Sequence, residues 1–257
     1  MQSPTRHAFV TGGGRGIGRA CAERLAKAGF IVSIGGRSAQ HLDETVKAIA
    51  AAGGKAHAME LDVASPESVT KAFEKARAAH GPVTVLVNNA GISPAAPFLK
   101  VSLDEFQRIL NVNLTGAFLC TQVVLPDMLA AKWGRVINIA STAARIGYRY
   151  TAAYCASKHG LLGLTRSLAL EVAKKGVTVN AVCPGWTETE MFHESIERIH
   201  KTSGQTREQA RAAIEQMNPM GRITQPAEVA EMVAFVASDV ASGITGQALG
   251  VDGGEAM

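Results

Sequence analysis

Thr11-Gly12-Gly13-Gly14-Arg15-Gly16-Ile17-Gly18 closes the apolar run His7–Thr11 and opens the helical pattern Ile17–Ala28. Glycines between a strand and a helix permit a tight turn. They also let a pyrophosphate come close to the backbone, with the positive end of the helix facing it. The literal G-x-G-x-x-G spacing is not met, because Ile17 and Arg19 stand where its third glycine belongs; the pattern is T-G-x-x-x-G-x-G. A turn of this kind after the first strand of an alternating chain points to dinucleotide binding.

The alternation continues to the C-terminus. Short apolar runs predict strands at His7–Thr11, Phe30–Gly35, Ala56–Leu61, Val83–Val87, Arg135–Ala140, Val177–Cys183 and Ala248–Val251. Between them, apolar residues three and four apart predict helices at Ile17–Ala28, Ala39–Ala52, Pro66–His80, Leu103–Ala131, Ala153–Lys174 and Pro226–Ser238. Ser65-Pro66 and Gln225-Pro226 put proline in a first helical turn, while Gly29, Gly53, Gly81, Gly134 and Gly176 stand where helices should stop. Strand–helix–strand repetition predicts an α/β fold: a doubly wound parallel sheet of about seven strands, Rossmann-type, in a single domain. One stretch, residues 187–221, breaks the rhythm. It is polar and helix-forming, and material inserted after a strand's carboxyl end lies over the ligand crevice. We read it as a substrate lid; a plain surface helix pair has the same composition.

The chain of 257 residues is long enough to bury roughly three quarters of its unfolded surface. Hydrophobic content is 47% with few aromatics, so the core is expected from Ala, Val, Ile and Leu. The net charge of +4 is mild and contains no block of like charges, which argues against nucleic acid as a partner. Cys21, Cys120, Cys155 and Cys183 are scattered, with no metal-like spacing, as expected of free thiols in a reducing cytoplasm. Residues 1–6 show no hydrophobic signal core, and no stretch reads as a membrane span.

Asn113, Ser141, Tyr154 and Lys158 carry the chemistry. Tyr154 and Lys158 are four apart and share a helix face. An ammonium near a phenol favours the phenolate; bringing tyrosine from ~10 to near neutrality takes roughly 4 kcal/mol. Such a tyrosine can give a proton to a carbonyl oxygen or remove one from an alcohol. Alone, Tyr-x-x-x-Lys on a helix is more often a solvated pair, Ser141 a helix cap and Asn113 a core amide.

In order, Thr11–Gly18, Asn88-Asn89-Ala90-Gly91, Asn113, Ser141, Tyr154-x-x-x-Lys158 and Pro184-Gly185 resemble the motifs of the short-chain dehydrogenases/reductases. The interval of 13 residues from Ser141 to Tyr154 also fits, and the similarity spans almost the whole chain, to Val251-Asp252-Gly253-Gly254. The resemblance implies that Tyr154 is the acid–base, that Lys158 holds the nicotinamide ribose and lowers the Tyr154 pKa, and that Ser141 hydrogen-bonds the substrate oxygen. It implies that Asn113 anchors a water leading from Lys158 to solvent. It further assigns Gly12, Gly14, Arg15, Gly16, Ile17 and Gly18 to the pyrophosphate, and Asn89, Ala90 and Gly91 to the adenosine and ribose channel. Asp62-Val63 falls to adenine, and Pro184, Gly185, Thr187 and Thr189 to the nicotinamide carboxamide.

In this family an acidic residue at the end of the second strand selects NAD. Here Gly36 takes that place and Arg37 follows, with Arg15 in the glycine turn. Guanidinium donors suit a ribose phosphate, so NADP(H) is expected, with NAD(H) still possible. The resemblance is nearest to 3-oxoacyl-thioester reductases, with CoA- or carrier-protein-linked substrates; Lys132 and Lys175 at helix ends offer an acidic carrier a cationic face. Two alternatives stand beside it: an NAD(H)-dependent dehydrogenase of a cyclic or aromatic secondary alcohol, and a catalytically silent NADP(H)-binding regulator, against which the complete set of four residues argues. Tyr148, Tyr150 and Trp186 are expected at the pocket, with Met191, Phe192 and His193 from the lid. Leu161, Leu164, Thr165, Leu168 and Val172, with Leu162 and Ala169, make the helix Ala153–Lys174 apolar on more than one side. With Leu103–Ala131 and Gly246–Met257 it implies, through the resemblance, a homotetramer.

Overall fold

A computed structural model describes residues 6–257. Seven parallel strands form one sheet in the order β3-β2-β1-β4-β5-β6-β7. These are β1 (His7–Thr11), β2 (Ile31–Gly36), β3 (Lys55–Glu60), β4 (Val83–Asn88), β5 (Gly134–Ile139), β6 (Val177–Pro184) and β7 (Ala248–Val251). Successive side chains of a strand point to opposite faces, so each strand feeds two cores. Val10, Ile34, Val87 and Ile137 face one core, which is covered by α1 (Gly16–Lys27), α2 (Ala39–Ala51) and α9 (Pro226–Ala237). Phe9, Leu86, Val136 and Val179 face the other, covered by α3 (Pro66–His80), α5 (Gly116–Ala131) and α6 (Ala152–Val172). The Phe9 and Phe73 rings stack across that second core with centroids 4.1 Å apart.

The strand order reverses between β1 and β4, and the crevice at such a switch point is where doubly wound sheets bind ligands. Both motif-bearing turns open there: the glycine turn leaves β1, and Asn88-Asn89 ends β4.

The expected helix Leu103–Ala131 is built in three pieces. α4 (Leu103–Leu110) passes through a wider π-type turn at Asn111–Thr115 into α5. Turns of this kind interrupt helices mainly at functional sites, and this one carries Asn113. By length and composition alone the same stretch is apolar enough to cross a membrane, with a mean hydropathy of 1.4 over 18 residues. Cys120, Val124 and Met128 nonetheless bury its inner face against the sheet. Gly134 is not a helix stop either. α5 ends at Lys132 in the left-handed region (φ 49°), and Gly134 begins β5, where a Cβ would come 2.6 Å from that of Met128.

After β6, residues 187–221 contain α7 (Glu190–Ser203) and α8 (Arg207–Glu215). Phe192, Ile196, Ala210, Ile214 and Ile223 give this hairpin its own small apolar core, with Trp186 and Ile199 at its edge. Arg211 ties it to the loop below through a bidentate pair with Glu188, at 2.6 and 3.0 Å.

Candidate active site

The glycine turn is locked onto the end of β4. Thr11 Oγ1 accepts hydrogen bonds from the Asn89 and Ala90 amides, both at 3.0 Å, and the Asn89 side chain donates to the Thr11 and Gly12 carbonyls at 2.9 and 3.2 Å. Thr11 is a positioning residue that the site reading passed over, although it opens the glycine motif. Gly12 (φ 66°) and Gly16 (φ 52°) are left-handed, and a Cβ on Gly12 would sit 2.8 Å from Asn89 Nδ2. Gly18 works from behind. A side chain there would collide with the Gly12 carbonyl, so Gly18 supports the turn and does not line the cleft.

The cleft is a cavity of about 510 Å³ that collects most residues expected at the site. Gly12, Gly14, Arg15, Gly16 and Ile17 line one end with Arg37, Asp62, Val63, Asn89, Ala90 and Gly91. Ser141, Tyr148, Tyr154, Lys158, Pro184, Gly185, Trp186, Thr187, Thr189, Met191 and Phe192 line the other. Tyr150 and His193 are not among the lining residues. Tyr150 turns out to solvent at φ 67°, and His193 faces Glu188, 3.3 Å away. Phe192 is only 2% exposed, because most of its ring fills the hairpin core. Ser93, His41 and Arg108 also line the cavity; nothing in their local sequence marks them.

Three elements bring the four chemistry-bearing residues together. Ser141 follows β5 and accepts a 3.1 Å hydrogen bond from the Ala143 amide, capping a short 3-10 turn. It is both a cap and a cleft residue. Asn113 is buried, with its amide committed at both ends: Oδ1 accepts from the Ile92 amide, and Nδ2 donates to the Ile92 carbonyl and Ser157 Oγ at 2.9–3.0 Å.

Lys158 is buried on α6, and its ammonium donates to the Ile139 carbonyl at 2.8 Å. It lies 5.7 Å from the centre of the Tyr154 ring. This differs from the expected lysine-depressed phenol. Burial pushes the Tyr154 phenol up to about 12 while the Ser141 hydroxyl draws it back, and burial pushes Lys158 down to about 8. With the ammonium turned to a backbone carbonyl, desolvation dominates the phenol.

Two threonines shape the loop after β6. Thr187 Oγ1 donates to the Gly185 carbonyl at 2.9 Å, and Thr189 caps α7 by accepting from the Phe192 amide at 3.3 Å. After β3, Asp62 accepts from the Ala64 amide at 2.9 Å. Arg15 and Arg37 are exposed at the cleft rim, and neither joins an ion pair among the described residues.

Residues 12–255 match the family model described as enoyl-(acyl carrier protein) reductase. The chain is 43% identical over 250 residues to the 3-oxoacyl-(acyl-carrier-protein) reductase FabG of Aquifex aeolicus, covering 96% of this chain and 95% of that one. It is 39% identical over 251 residues to the acetoacetyl-CoA reductase of Shinella zoogloeoides, covering 98% of each. Among solved structures it superposes on a tryptophan variant of actinorhodin polyketide ketoreductase with NADPH. The TM-score is 0.95 and the identity 40%, over 98% of this chain and 97% of that one.

Proposed function

This chain belongs to the short-chain dehydrogenase/reductase family of nicotinamide-dependent oxidoreductases, and from that premise we propose that it reduces 3-oxoacyl thioesters with NADPH. The observation that carries this reading is the cleft itself, which brings Ser141, Tyr154 and Lys158 together with the glycine turn. A protonated phenol placed beside Ser141 is suited to giving a proton to a ketone oxygen.

The residues fit the cofactor. Glycine backbone would cradle the pyrophosphate in a turn where a Cβ on Gly12 or Gly13 would collide with neighbouring protein atoms, and two cationic side chains stand free at the rim. Arg37 in place of a carboxylate supports NADPH over NADH, since a carboxylate there would repel a ribose phosphate. Thr187 and Thr189 would hold the carboxamide, and Asp62 and Val63 would border adenine. When bound, the nicotinamide supplies the hydride to the carbonyl carbon.

The chain's own groups manage the proton. Ser141 hydrogen-bonds the ketone oxygen and orients it toward Tyr154 Oη, which gives up its proton as negative charge develops there. Lys158, with a pKa near 8, is poised to resupply that proton, and Asn113 would anchor the water that links it to solvent. The α7–α8 hairpin, residues 187–221, acts as the substrate lid, with Trp186, Met191 and the edge of Phe192 facing the acyl chain beside Tyr148. The relatives named for acyl-carrier-protein and CoA thioesters support this substrate class. Lys132 and Lys175 supply cationic ground for an acidic carrier.

Assembly follows from α5 and α6. Leu162 and Ala169, expected as surplus, are buried inside the subunit; the apolar excess is Phe118 and Leu170, the latter 83% exposed. Only 33% of the most apolar window of Leu103–Ala131 is buried. A tetramer with two-fold axes would cover both helices. Four free thiols, three of them buried, fit a reducing cytoplasm.

The direct assay is NADPH consumption with acetoacetyl-CoA. Turnover that depends on the thioester is expected. Binding of NADPH without turnover on any 3-oxoacyl thioester would favour the silent-regulator reading.

A further inference from the structure

We propose that Glu255, in the segment after β7, is a positioning residue that fixes the substrate wall by holding the Tyr148 phenol from behind. The inference rests on the reductase reading above. Tyr148 lines the cavity together with Thr142, and its hydroxyl is held in a built hydrogen-bond site. Tyr148 Oη lies 2.6 Å from Glu255 Oε1 and 2.7 Å from Thr142 Oγ1. The phenol has one proton and the carboxylate is the stronger acceptor, so Tyr148 donates to Glu255 and Thr142 donates to Tyr148. Both capacities of the hydroxyl are thereby used. What faces the substrate is an immobilised aromatic ring, not a free phenol.

The same carboxylate bears on the cofactor loop. A Cβ on Gly185 would come 2.6 Å from Glu255 Oε2, so the loop after β6 lies directly against it. Oε2 is buried and has no hydrogen-bond partner among the described residues. A half-satisfied buried carboxylate is costly compared with an apolar side chain of the same size. Filling space does not account for it; holding Tyr148 does. The charged neighbour on its own segment is Asp252, whose carboxylate is 3.9 Å from Arg145. Burial pushes the Glu255 carboxyl upward and Asp252 adds to that push, while the Tyr148 hydroxyl and the Trp186 backbone draw it back. The C-terminal segment thus braces the ring beside the substrate and the glycine beside the nicotinamide with one side chain.

Steady-state kinetics on purified variants test this, with acetoacetyl-CoA and NADPH as probes and thermal unfolding as a folding control. Glu255→Ala should raise KM for the thioester about tenfold, the effect of one lost charge-assisted hydrogen bond, with kcat reduced much less. Glu255→Gln keeps an acceptor for the phenol and should restore KM to within about twofold of wild type. Tyr148→Phe removes the same bond from the other side. It should raise KM similarly, and combining it with Glu255→Ala should add little more. An unchanged KM in both Glu255→Ala and Tyr148→Phe overturns the proposal, as does a strictly additive double variant. If Glu255→Ala does not fold, an unchanged KM in Tyr148→Phe alone overturns it. A wild-type protein inactive on thioesters would instead refute the underlying reductase reading, so the two failures are distinguishable.

Discussion

The Lys158 ammonium lies 5.7 Å from the centre of the Tyr154 ring and gives its short hydrogen bond to the Ile139 carbonyl. The pair is therefore not a simple ion–phenol couple. Burial raises the phenol to about 12 and lowers the lysine to about 8, which separates an acid that is always loaded from a group able to reload it near neutral pH.

Tyr154→Phe keeps the ring and removes the proton. Thioester reduction should fall by at least two decades, while NADPH affinity, read by fluorescence titration, stays within a fewfold of wild type. A variant retaining more than a few per cent of activity would contradict Tyr154 as the acid.

The lysine value carries a pH signature. If Lys158 must be protonated to reload Tyr154, kcat for reduction should decline as pH rises through about 8. Lys158→Arg keeps the cation protonated across that range and should move the alkaline limb upward, whatever its absolute rate. An identical limb in both proteins would remove Lys158 from the relay.

Arg37→Ala should weaken NADPH binding by one to two decades, about 1.5–3 kcal/mol, and leave NADH binding nearly unchanged. Isothermal titration of both cofactors decides. Equal losses, or a wild-type preference for NADH, would show that the end of β2 does not read the ribose phosphate.

Far from the cleft, His7 bonds Ser33 Oγ at 2.9 Å and the Gly81 carbonyl at 3.0 Å beneath the His80 ring. Burial lowers its pKa below the ordinary 6.5, with His80 and His57 contributing. A lowered histidine pKa means that the unfolded chain binds the proton more readily. Stability is then full above about 6.5 and lost as pH falls toward the folded value. Urea midpoints should drop between neutral and mildly acidic pH, and His7→Gln should flatten that drop. Parallel curves would assign the acid sensitivity elsewhere.

Much of this was legible in the sequence. Short apolar runs gave all seven strands to within a residue or so, most of them carrying the Val and Ile of buried parallel strands. The glycine turn with Ser141, Tyr154 and Lys158 marked the cleft, while Asn113 lies outside its lining. Two kinds of feature were not legible. The π-type turn at Asn113 has no compositional signature, since Asn111–Thr115 keeps the helical pattern on both sides. Glu255 meets Tyr148 across 107 positions of sequence, and Tyr150 is turned outward by a left-handed backbone that no local residue announces. The phenol's pKa also had to be seen in place, because it depends on which way the Lys158 ammonium points.

The central claim is hydride delivery to a thioester ketone with Tyr154 as proton donor. NADPH deuterated at its transferable hydrogen, offered with a 3-oxoacyl-CoA and separately with a 2-enoyl-CoA, tests it by mass spectrometry of the products. The expected result is a 3-hydroxyacyl-CoA carrying one deuterium on its carbinol carbon, no reduction of the enoyl substrate, and loss of the labelled product in Tyr154→Phe. Saturated acyl-CoA from the enoyl substrate, or no label in the hydroxyacyl product, would contradict the account.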